Sequence, residues 1–394
     1  MTAGTLRVLQ VHNRYRQLGG EDAVAAAEAG LLRDSGHTVI EHHVSNPSGG
    51  VAAAATLATA PWNPASARAM RRAIRESAPD VAHVHNTWFT LSPSVFGALS
   101  GAGVPVVMSV HNHRLVCVNA NLFREGRPCR DCVGRSPWPG VKHRCYHDSS
   151  VQSAAVAATI SFNRARGTWV KAVDRFITPS HGLRETLVTA GLPAERIVVR
   201  PHAVADSGPR PQPPSASSTV LYVGRISEEK GLPVLLDAWA AARPRGLELV
   251  VAGDGPDRPA LERRGIEGVR FTGWLASESI RELMHTARVL AFPSVCYEVF
   301  PATIVEAMCA GLPVLASAHG GPAEIVGAIG NEWLAAPGDV ASWAARLAQL
   351  SGDDGIDAAG ARGREIYAAQ YAPERGVASL LDVYRTAIDQ AGRR

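Results

Sequence analysis

Apolar runs that alternate with helical segments constrain the fold of this chain more than any other feature of its sequence. The runs are rich in Val and Ile and lack the polar alternation of a strand with one face in water, so helices should cover both faces of each sheet. This pattern predicts an α/β protein with mainly parallel sheets. The predicted strands are Leu6–Val11, Thr38–Val44, Asp80–Val84, Val104–Val110, Val173–Thr178, Ile197–Val199, Thr219–Val223, Leu247–Ala252, Val269–Phe271, Arg288–Phe292 and Pro313–Ala316.

A segment rich in Pro and Ser separates the strands into two sets. It reads DSGPRPQPPSASS and offers few side chains for a core, as expected of a linker. We predict an N-terminal domain over 1–205, the linker over 206–218, a C-terminal domain over 219–372 and a last helix over 373–394 that braces the two domains. Both domains should be Rossmann-like and doubly wound and should face one cleft, with ligands at the carboxyl ends of the strands.

Charge and hydropathy disfavour several classes of protein. The chain has 40 Lys and Arg against 36 Asp and Glu, a balance that argues against a nucleic-acid binder with a concentrated basic face. No signal peptide is recognisable, and no uncharged apolar run reaches the ~20 residues of a membrane helix. We expect a cytoplasmic protein with at most peripheral membrane contact. The basic segment Ser66–Ser77 would make that contact, unless it is an ordinary solvated helix face.

A strand–turn–helix motif in the C-terminal half carries two cations suited to a diphosphate. The strand Thr219–Val223 leads to Gly224 and Arg225, and Lys230 precedes a helix predicted to begin near Leu232. Glycine lets the backbone pass close to a ligand, and the two side chains offer phosphate oxygens a planar fork and a point charge. Such cations would stabilise the charge that develops on a departing diphosphate. The alternative is a turn with two solvent-facing basic residues.

Two glutamates, eight residues apart, follow the strand Arg288–Phe292. Glu298 is predicted to lie in a loop and Glu306 in the helix Ala302–Ala310. At this separation the carboxylates suit two different ligand hydroxyls better than one acid–base pair. The start of the helix adds unpaired N–H groups near Phe300–Thr303 for sugar or phosphate oxygens. One surface glutamate and one buried ion pair would be the alternative.

These motifs occur in order with the segments GRISEEKG, AGLPVLAS and GGPAEIV, and together they resemble the nucleotide-sugar half of the family 4 retaining glycosyltransferases. In the first half, RQLGGEDAV, HVHNTW and SVHNHRLVC resemble acceptor-domain motifs of the same family. The resemblance implies a GT-B fold. It also implies transfer of a sugar from a nucleotide diphosphate sugar, with UDP favoured over GDP and UDP-GlcNAc or UDP-glucose as examples. The acceptor would be a glycan, a lipid-linked molecule or a small molecule.

The resemblance further implies roles for individual residues. Arg225 and Lys230 would bind the diphosphate, Glu306 the ribose hydroxyls and Glu298 the transferred sugar. His111 would lie near the reaction centre. Pro301 stands where many relatives have Gly, so one backbone donor is missing. The full implied donor site comprises Gly20, Gly224, Arg225, Lys230, Trp274, Glu298, Phe300, Pro301 and Glu306.

Acceptor recognition is expected at loops that follow the first-half strands. No carboxylate stands at a motif position there to act as nucleophile, and the family is thought to use front-face attack in which the leaving phosphate takes the acceptor proton. The chain also lacks an Asp-x-Asp sequence, so no catalytic divalent metal is expected. The acceptor candidates, for which ordinary loop packing is the alternative, are Asn13, Arg14, Tyr15, His85, Asn86 and Trp88.

Four cysteines fall in one short segment of the N-terminal half. Cys117, Cys129, Cys132 and Cys145 have the spacing C-x11-C-x2-C-x12-C, which satisfies a structural zinc site with four thiolates. Such a closed site would have no open position for catalysis. Free thiols and a disulfide pair are the alternatives.

Three other functions compete with glycosyl transfer. Another GT-B sugar-nucleotide enzyme, such as an epimerase, would use the same donor motifs. A Rossmann oxidoreductase is disfavoured because no G-x-G-x-x-G follows either first strand. A zinc module that binds a partner or nucleic acid would leave the cationic and acidic motifs unexplained.

Overall fold

A computed structural model of the chain describes residues 4–15, 19–352 and 355–392. Its strands, numbered along the chain, are β1 (Arg7–Arg14), β2 (Thr38–Ser45), β3 (Val81–Asn86), β4 (Val106–Ser109), β5 (Phe123–Arg124), β6 (Arg127–Pro128), β7 (Arg175–Thr178), β8 (Ile197–Val199), β9 (Thr219–Val223), β10 (Glu248–Ala252), β11 (Val269–Gly273), β12 (Val289–Phe292), β13 (Val314–Ser317) and β14 (Leu334–Ala335).

The α-helices cover the faces of the sheets. They are α1 (Gly20–Asp34), α2 (Gly50–Thr59), α3 (Pro64–Ser77), α4 (Ser94–Gly101), α5 (Pro139–Lys142), α6 (Ser150–Arg166), α7 (Thr168–Ala172), α8 (His181–Thr189), α9 (Leu232–Ala242), α10 (Arg258–Glu262), α11 (Ser277–Thr286), α12 (Ala302–Cys309), α13 (Gly320–Val326), α14 (Val340–Gln349), α15 (Ile356–Gln370) and α16 (Pro373–Ala391). Within the described residues, none of these helices is long and apolar enough to span a bilayer.

The chain folds into two compact units. Unit 1 comprises Met1–Leu122, Arg130–Pro201 and Gly376–Arg394, and unit 2 comprises Phe123–Cys129 and His202–Arg375. Each unit is built around one six-stranded sheet in which neighbouring strands are parallel. The predicted α/β class with two Rossmann-like sheets is thus confirmed.

The order of the strands fixes where each unit can bind a ligand. The sheet of unit 1 has the order β2-β1-β3-β4-β7-β8, and that of unit 2 has the order β11-β10-β9-β12-β13-β14. In unit 1 the chain leaves β1 first toward β2 and then toward β3, and in unit 2 it leaves β9 first toward β10 and then toward β12. Connections diverge at these two points and open a crevice at the carboxyl ends of the strands. The loops that follow β1, β3, β9 and β12 border these crevices.

Each unit has its own apolar core. In unit 2 the side chains of Trp239, Trp343 and Tyr367 are almost fully buried among the sheet and helices. In unit 1 the last helix α16 completes the core, because Leu380 and Tyr384 pack with buried residues of β1, β3, β4 and β7. The close packing keeps both sheets rigid, so the loops at their edges start from fixed positions.

The basic helix α3 is amphipathic in the structure. It begins after Asn63, whose side chain accepts hydrogen bonds from the backbone of Ala65 and Ser66, as an N-cap does. The helix buries Ala67, Met70 and Ile74. Its four arginines lie on the exposed face: Arg68, Arg71, Arg72 and Arg75.

A short hairpin of β5 and β6 lies outside both sheets. Although the chain reaches it from unit 1, the hairpin groups with unit 2, where Phe123 packs with Val295 and Cys296. No sequence pattern predicted this hairpin, because its strands have only two residues each.

Candidate active site

The loops that follow β9 and β10 pack backbone against backbone. Gly253 has a φ of +153°, and a β-carbon on it would lie 1.9 Å from the carbonyl oxygen of Gly224. A β-carbon on Gly255 would lie 2.1 Å from the carbonyl oxygen of Ile226, whose own N–H donates to the carbonyl of Asp254 at 2.9 Å. Only glycine fits at these two positions. The GDGP segment therefore supports the loop that carries Arg225.

A second close approach joins the two motif loops of unit 2. Gly231 has a φ of +71°, and a β-carbon there would lie 2.0 Å from the carbonyl oxygen of Pro293. The carbonyl of Glu229 accepts hydrogen bonds from the backbone of Val295 at 3.0 Å and from the Ser294 hydroxyl at 3.1 Å. The loop after β9 and the loop after β12 are thereby held side by side.

Lys230 and Glu298 form an ion pair where these two loops meet. Lys230 Nζ donates to Glu298 Oε1 at 2.6 Å, and Ser294 Oγ donates to the same oxygen at 2.9 Å. Burial disfavours the charged form of both groups, but the opposite charge outweighs it. The pKa of Lys230 is consequently raised and the pKa of Glu298 is lowered. Both side chains are charged at neutral pH.

Arg225 lies on the same loop but remains accessible. Its Nη2 donates to Glu229 Oε1 at 2.5 Å, and Ser227 Oγ donates to that oxygen at 2.8 Å. The Arg225 side chain is nevertheless 62% exposed. The guanidinium is thus anchored through one nitrogen and open to an anion through the rest of its fork.

Glu306 is exposed at the wall of a cavity of about 510 Å³ in unit 2. The cavity is large enough for a small-molecule ligand. Among the residues that the structure describes, Arg225, Lys230 and Glu298 do not line this cavity. The lining residues are Val204, Ala205, Asp206, Ser207, Val223, Leu275, Ser277, Ile280, Arg281, Met284, His285, Glu306, Cys309 and Ala310.

The remaining predicted donor residues occupy different environments. Phe300 packs its ring 5.0 Å from the ring of His202 and 6.0 Å from that of Tyr371. Pro301 is the N-cap residue of α12 and is buried. Trp274 is 75% exposed and follows β11, which β10 separates from β9. The residue before it, Gly273, accepts from the N–H of Gly253 at 2.9 Å, and the place of Trp274 in the donor site stays a prediction.

Two residues that the sequence did not single out hold the Glu298 loop. The ring of His319 is hydrogen-bonded through Nε2 to the carbonyl of Cys296 at 2.8 Å. The N–H of Gly321 donates to the carbonyl of Glu298 at 2.8 Å, and a β-carbon on Gly320 would lie 3.0 Å from the same oxygen. The segment GGPAEIV, quoted above only for its resemblance, is thus the support of this loop.

In unit 1, four of the acceptor candidates are buried, namely Asn13, His85, Asn86 and Trp88, and three of them hold the neighbouring backbone in place. Asn86 Nδ2 donates to the carbonyl of Asn13 at 2.8 Å, and Asn86 Oδ1 accepts from the N–H of Trp88 at 2.9 Å. Asn13 Oδ1 accepts from the N–H of Leu91 at 3.1 Å. Asn13, Asn86 and Trp88 are at most 4% exposed, and their contact with an acceptor stays a prediction. Arg14 is exposed and Tyr15 is partly exposed.

Helix α1 begins at Gly20, the second glycine of RQLGGEDAV, and hydrogen bonds of Asp22 fix this helix start. Asp22 Oδ2 accepts from the N–H of Gly19 at 2.8 Å, and Asp22 Oδ1 accepts from Nε2 of the buried His12 at 2.9 Å. Burial lowers the pKa of His12, so the ring is neutral at pH 7. A β-carbon on Gly20, at the first position of α1, would meet nothing within 4 Å.

His111 follows β4 and is paired with His85, which lies in β3. His85 Nδ1 and His111 Nε2 are 3.1 Å apart, and the planes of the two rings differ by 9°. The residue after His111 also takes part in this edge of the sheet. Asn112 Nδ2 donates to the carboxylate of Glu21.

Glu21 is the titratable group that sequence reasoning missed at this edge. Burial raises the pKa of Glu21 to about 7, against the charge of Arg114 and the hydrogen bonds from Asn112 and Tyr15. Arg114 in turn lies 4.9 Å from the ring centroid of Tyr146. No signal in the sequence distinguishes Glu21 from an ordinary first-turn glutamate, because its partners Tyr15, Asn112 and Arg114 come from two loops that are far apart along the chain.

The described residues contain one group of three potential metal ligands, Glu28, His83 and His85, whose ligand atoms lie within 4.8 Å of one another. Their chemistry does not fit a metal site. Glu28 Oε1 accepts from Arg200 Nη1 at 2.5 Å, and the two ring nitrogens of His83 are hydrogen-bonded to Tyr384 and Ser109 at 2.8 Å each.

The predicted zinc site has no structural support. All six cysteines of the chain are thiols rather than disulfides. No group of three or more potential ligands in the described chain includes Cys117, Cys129, Cys132 or Cys145. Burial raises the pKa of the Cys117 thiol.

Comparison with known proteins bears on this arrangement. The chain is 36% identical over 148 residues to the 2-deoxystreptamine glucosyltransferase of Streptomyces kanamyceticus, a match that covers 36% of this chain and 38% of that protein. It is 28% identical over 344 residues to the 2-deoxystreptamine N-acetyl-D-glucosaminyltransferase of Streptomyces fradiae, covering 79% and 72% of the two chains. The chain thus spans well under half of the first relative and about three quarters of the second.

A solved structure shares the fold. The crystal structure of HepE from Anabaena in complex with UDP and glucose superimposes with a TM-score of 0.67 at 18% identity, and the match covers 97% of this chain and 100% of that one. This likeness supports the two-domain GT-B fold. Residues 217–353 match the family model "Glycosyl transferases group 1", and residues 8–207 match the model "Glycosyltransferase Family 4". Because the latter match alone spans half of the chain, this protein belongs to Glycosyltransferase Family 4.

Proposed function

We propose that this protein moves a hexose or N-acetylhexosamine from a UDP-sugar to a hydroxyl of a small cyclitol acceptor, with retention of configuration. The observation that carries the proposal is the charged Lys230–Glu298 pair. It lies at the carboxyl ends of the neighbouring strands β9 and β12, where the connections from β9 diverge. The Lys230 ammonium suits a diphosphate, and the Glu298 carboxylate suits sugar hydroxyls. Donor recognition is assigned to the domain over 219–372.

The donor half follows from charge and accessibility. Arg225, with an open guanidinium, and Lys230 neutralise the diphosphate and stabilise the charge on the departing oxygen. Glu298 accepts hydrogen bonds from hydroxyls of the transferred sugar once the donor displaces part of its contact with Lys230. Glu306, at the cavity wall, takes the ribose hydroxyls. Retention is supported by the family resemblance of the donor motifs.

The acceptor half is assigned to the domain over 1–205, joined by the linker 206–218 and followed by the last helix over 373–394. His111, Arg14 and Tyr15 are the acceptor-facing candidates. Two relatives are named for action on 2-deoxystreptamine, an aminocyclitol, which supports a cyclitol as the acceptor class. Glycans and lipid-linked acceptors are the classes against which a screen should be run.

The reaction needs no protein nucleophile in this proposal. The acceptor oxygen forms a bond to the anomeric carbon on the face that the diphosphate leaves. The bond between that carbon and the phosphate oxygen breaks with its electron pair, and the phosphate oxygen receives the acceptor proton. The protein supplies positioning and fixed positive charge.

A donor and acceptor screen tests the proposal. The purified protein is incubated with UDP-glucose, UDP-GlcNAc or GDP-mannose, alone and with 2-deoxystreptamine or myo-inositol, and the products are identified by mass spectrometry. We expect slow hydrolysis of one UDP-sugar alone and a glycosylated cyclitol in the full mixture. The anomeric proton coupling in the product should match that of the donor. The proposal would be contradicted by turnover of GDP-mannose but of neither UDP-sugar, by a product with the opposite anomeric configuration, or by an isomerised UDP-sugar.

A further inference from the structure

One wall of the unit 2 cavity is a segment of chain that belongs to no helix or strand. The four residues Val204–Ser207, here called the wall segment, have no regular secondary structure and line the cavity of about 510 Å³ to which Glu306 is exposed. The wall segment and Glu306 both belong to unit 2. Because such a segment has no ladder of backbone hydrogen bonds to a neighbouring strand, other contacts must fix its shape.

Helix α15 fixes the start of the wall segment through its backbone. The N–H of Val204 donates to the carbonyl of Tyr371 at 2.9 Å, and the hydroxyl of Tyr367 donates to the carbonyl of Val204 at 2.8 Å. Tyr367 is almost fully buried in the core of unit 2, and Tyr371 directly follows the helix. Both backbone groups of Val204 are thus bound to one packed element.

Arg364, which also belongs to α15, binds the side chain of Asp206. Its Nη1 donates to Asp206 Oδ1 at 2.7 Å and its Nη2 donates to Asp206 Oδ2 at 2.6 Å. This bidentate geometry makes an arginine–carboxylate pair directional. Arg364 Nη1 also donates to the carbonyl of Cys309 at 2.6 Å. The Arg364 guanidinium holds the pKa of Asp206 well below its usual range, so both groups are charged at neutral pH.

The end of the wall segment contacts two other residues that line the cavity, Cys309 and His285. The N–H of Ser207 donates to Cys309 Sγ at 3.2 Å, and the hydroxyl oxygen of Ser207 lies 3.0 Å from Nε2 of His285. Cys309 belongs to α12 and His285 to α11. The wall segment is therefore bound at its start, its middle and its end by helices of unit 2.

We infer that Arg364 is a positioning residue for the nucleotide-sugar donor, because it holds the wall segment in the shape in which the segment lines the cavity. The inference rests on the proposed function, in which Glu306 takes the ribose hydroxyls at the same cavity. Arg364 is not among the described residues that line the cavity, so it acts through Asp206 and not by touching the nucleotide. The part of the donor that depends on this wall is the nucleoside of UDP.

A general contribution to stability is the competing role of this ion pair. The side chains of Arg364 and Asp206 are 33% and 50% exposed, and pairs this exposed contribute little to the free energy of unfolding. Such a pair can still decide the position of an irregular segment, because local opening costs far less free energy than global unfolding. The experiment must therefore separate a local opening of the wall segment from a loss of stability of the whole unit.

Hydrogen exchange measures the opening of the wall segment without any assumption about catalysis. Exchange of the backbone amides of the full chain is followed by peptide mass spectrometry. In Arg364→Met, the hydrogen-bonded amides of Val204 and Ser207 should exchange about tenfold faster than in the wild type, the equivalent of one hydrogen bond to a charged group. The buried strand β12 of the same unit is the internal reference and should exchange at an unchanged rate.

A matched control lies in the same helix. Arg362 pairs with Glu365 at 3.2 Å on the exposed surface of α15, so Arg362→Met makes the same chemical change and should leave exchange in the wall segment unchanged. Asp206→Asn removes the other charge of the pair and serves if Arg364→Met does not fold. Unchanged exchange of the wall segment in the folded variants, or an equal acceleration of the wall segment and β12, would overturn the positioning role.

Binding and kinetics connect the wall segment with the donor. UDP should slow exchange of the wall segment in the wild type. For hydrolysis of UDP-glucose, Arg364→Met should raise KM about three- to tenfold with kcat within a factor of about two, because the wall contacts the nucleoside equally in the ground and transition states. A lower kcat at unchanged KM, or no effect of UDP on exchange, would contradict the role of Arg364. Absence of UDP-glucose hydrolysis in the wild type would count against the proposed function, whereas the effect of UDP on exchange would still decide the inference.

Discussion

The ligand edges of the two units solve the same positioning problem by opposite means. In unit 2 the loops after β9 and β12 are locked by glycines that no other residue could replace, and they present the charged pair Lys230–Glu298. In unit 1 the corresponding edge is held by hydrogen bonds of buried side chains, such as those of Asn86 and between His12 and Asp22. The difference teaches that charge is placed where the proposed reaction develops charge. On the side assigned to a neutral hydroxyl, side-chain hydrogen bonds hold the loops instead.

The largest effect is expected when the charged pair of unit 2 loses its lysine. Lys230→Ala should lower kcat for transfer or donor hydrolysis by ~10²–10³, the loss expected when one preorganised group that stabilises developing charge is removed. Lys171→Ala, which removes an exposed lysine of unit 1, is the matched control and should retain full activity. Kinetics with UDP-glucose and circular dichroism of both variants provide the measurement. Wild-type kcat in a folded Lys230→Ala variant would remove the basis of the proposed function.

The next effect concerns Glu21, an acidic group at the carboxyl edge of the unit 1 sheet whose pKa is raised. The folded pKa of Glu21 is about 7 against an ordinary value of 4.5, so the folded state binds its proton more tightly than the unfolded state. Stability from this group is present below about pH 4.5 and is lost as the pH rises toward 7. The wild type should lose up to ~1.4 kcal/mol of unfolding free energy per pH unit in this window relative to Glu21→Gln.

Urea unfolding of both proteins at several values between pH 5 and pH 7.5 measures that difference. Glu282→Gln, on the exposed surface of α11, is a control with the same chemical change and should run parallel to the wild type. Equal slopes for the wild type and Glu21→Gln would show that Glu21 titrates like a solvated glutamate.

A smaller effect is expected for Glu306, and steady-state kinetics should distinguish its role from that of Glu298. Glu306→Ala should raise KM for UDP-glucose about tenfold with little change in kcat, because a ribose contact is made equally in the ground and transition states. Glu298→Ala should instead lower kcat, because it also leaves Lys230 without its partner. Steady-state kinetics of both variants decide the point. The same kcat-to-KM pattern in the two variants would mean that they do not have separate roles.

The sequence predicted the sheets well because their signals are local. The strand β9 was predicted with its observed bounds, and the Glu306 helix differs at one end by one residue. The acceptor candidates stay predictions. Asn13 and Asn86 lie within β1 and β3 rather than after them, and both are buried, as is Trp88, because position along the chain does not determine which way a side chain points. Such orientation depends on loops far away in sequence.

The missed features have the same cause. The hairpin of β5 and β6 has strands too short for any periodicity, and the raised pKa of Glu21 depends on Asn112 and Arg114, about ninety residues away. The cysteine spacing shows a limit of another kind. Among the described residues no group of three or more potential ligands includes these cysteines, because spacing fixes the chain length between ligands but not their convergence.

The smallest effect is expected at Gly20, the first residue of α1 in unit 1, and Gly231 of unit 2 serves for comparison. Gly231 meets Pro293 where a β-carbon would be, whereas Gly20 meets nothing within 4 Å and does not have a positive φ. Gly20→Ala should therefore change the unfolding free energy by no more than about 0.5 kcal/mol, while Gly231→Ala should cost ~1–3 kcal/mol from its strained backbone alone. If the space beside Gly20 is reserved for a donor phosphate, Gly20→Ala should still raise KM for UDP-glucose by a few-fold. Thermal unfolding and steady-state kinetics of the two variants measure both quantities. Unchanged KM in Gly20→Ala would show that the helix start of unit 1 is not approached by the donor, and would confine phosphate recognition to Arg225 and Lys230.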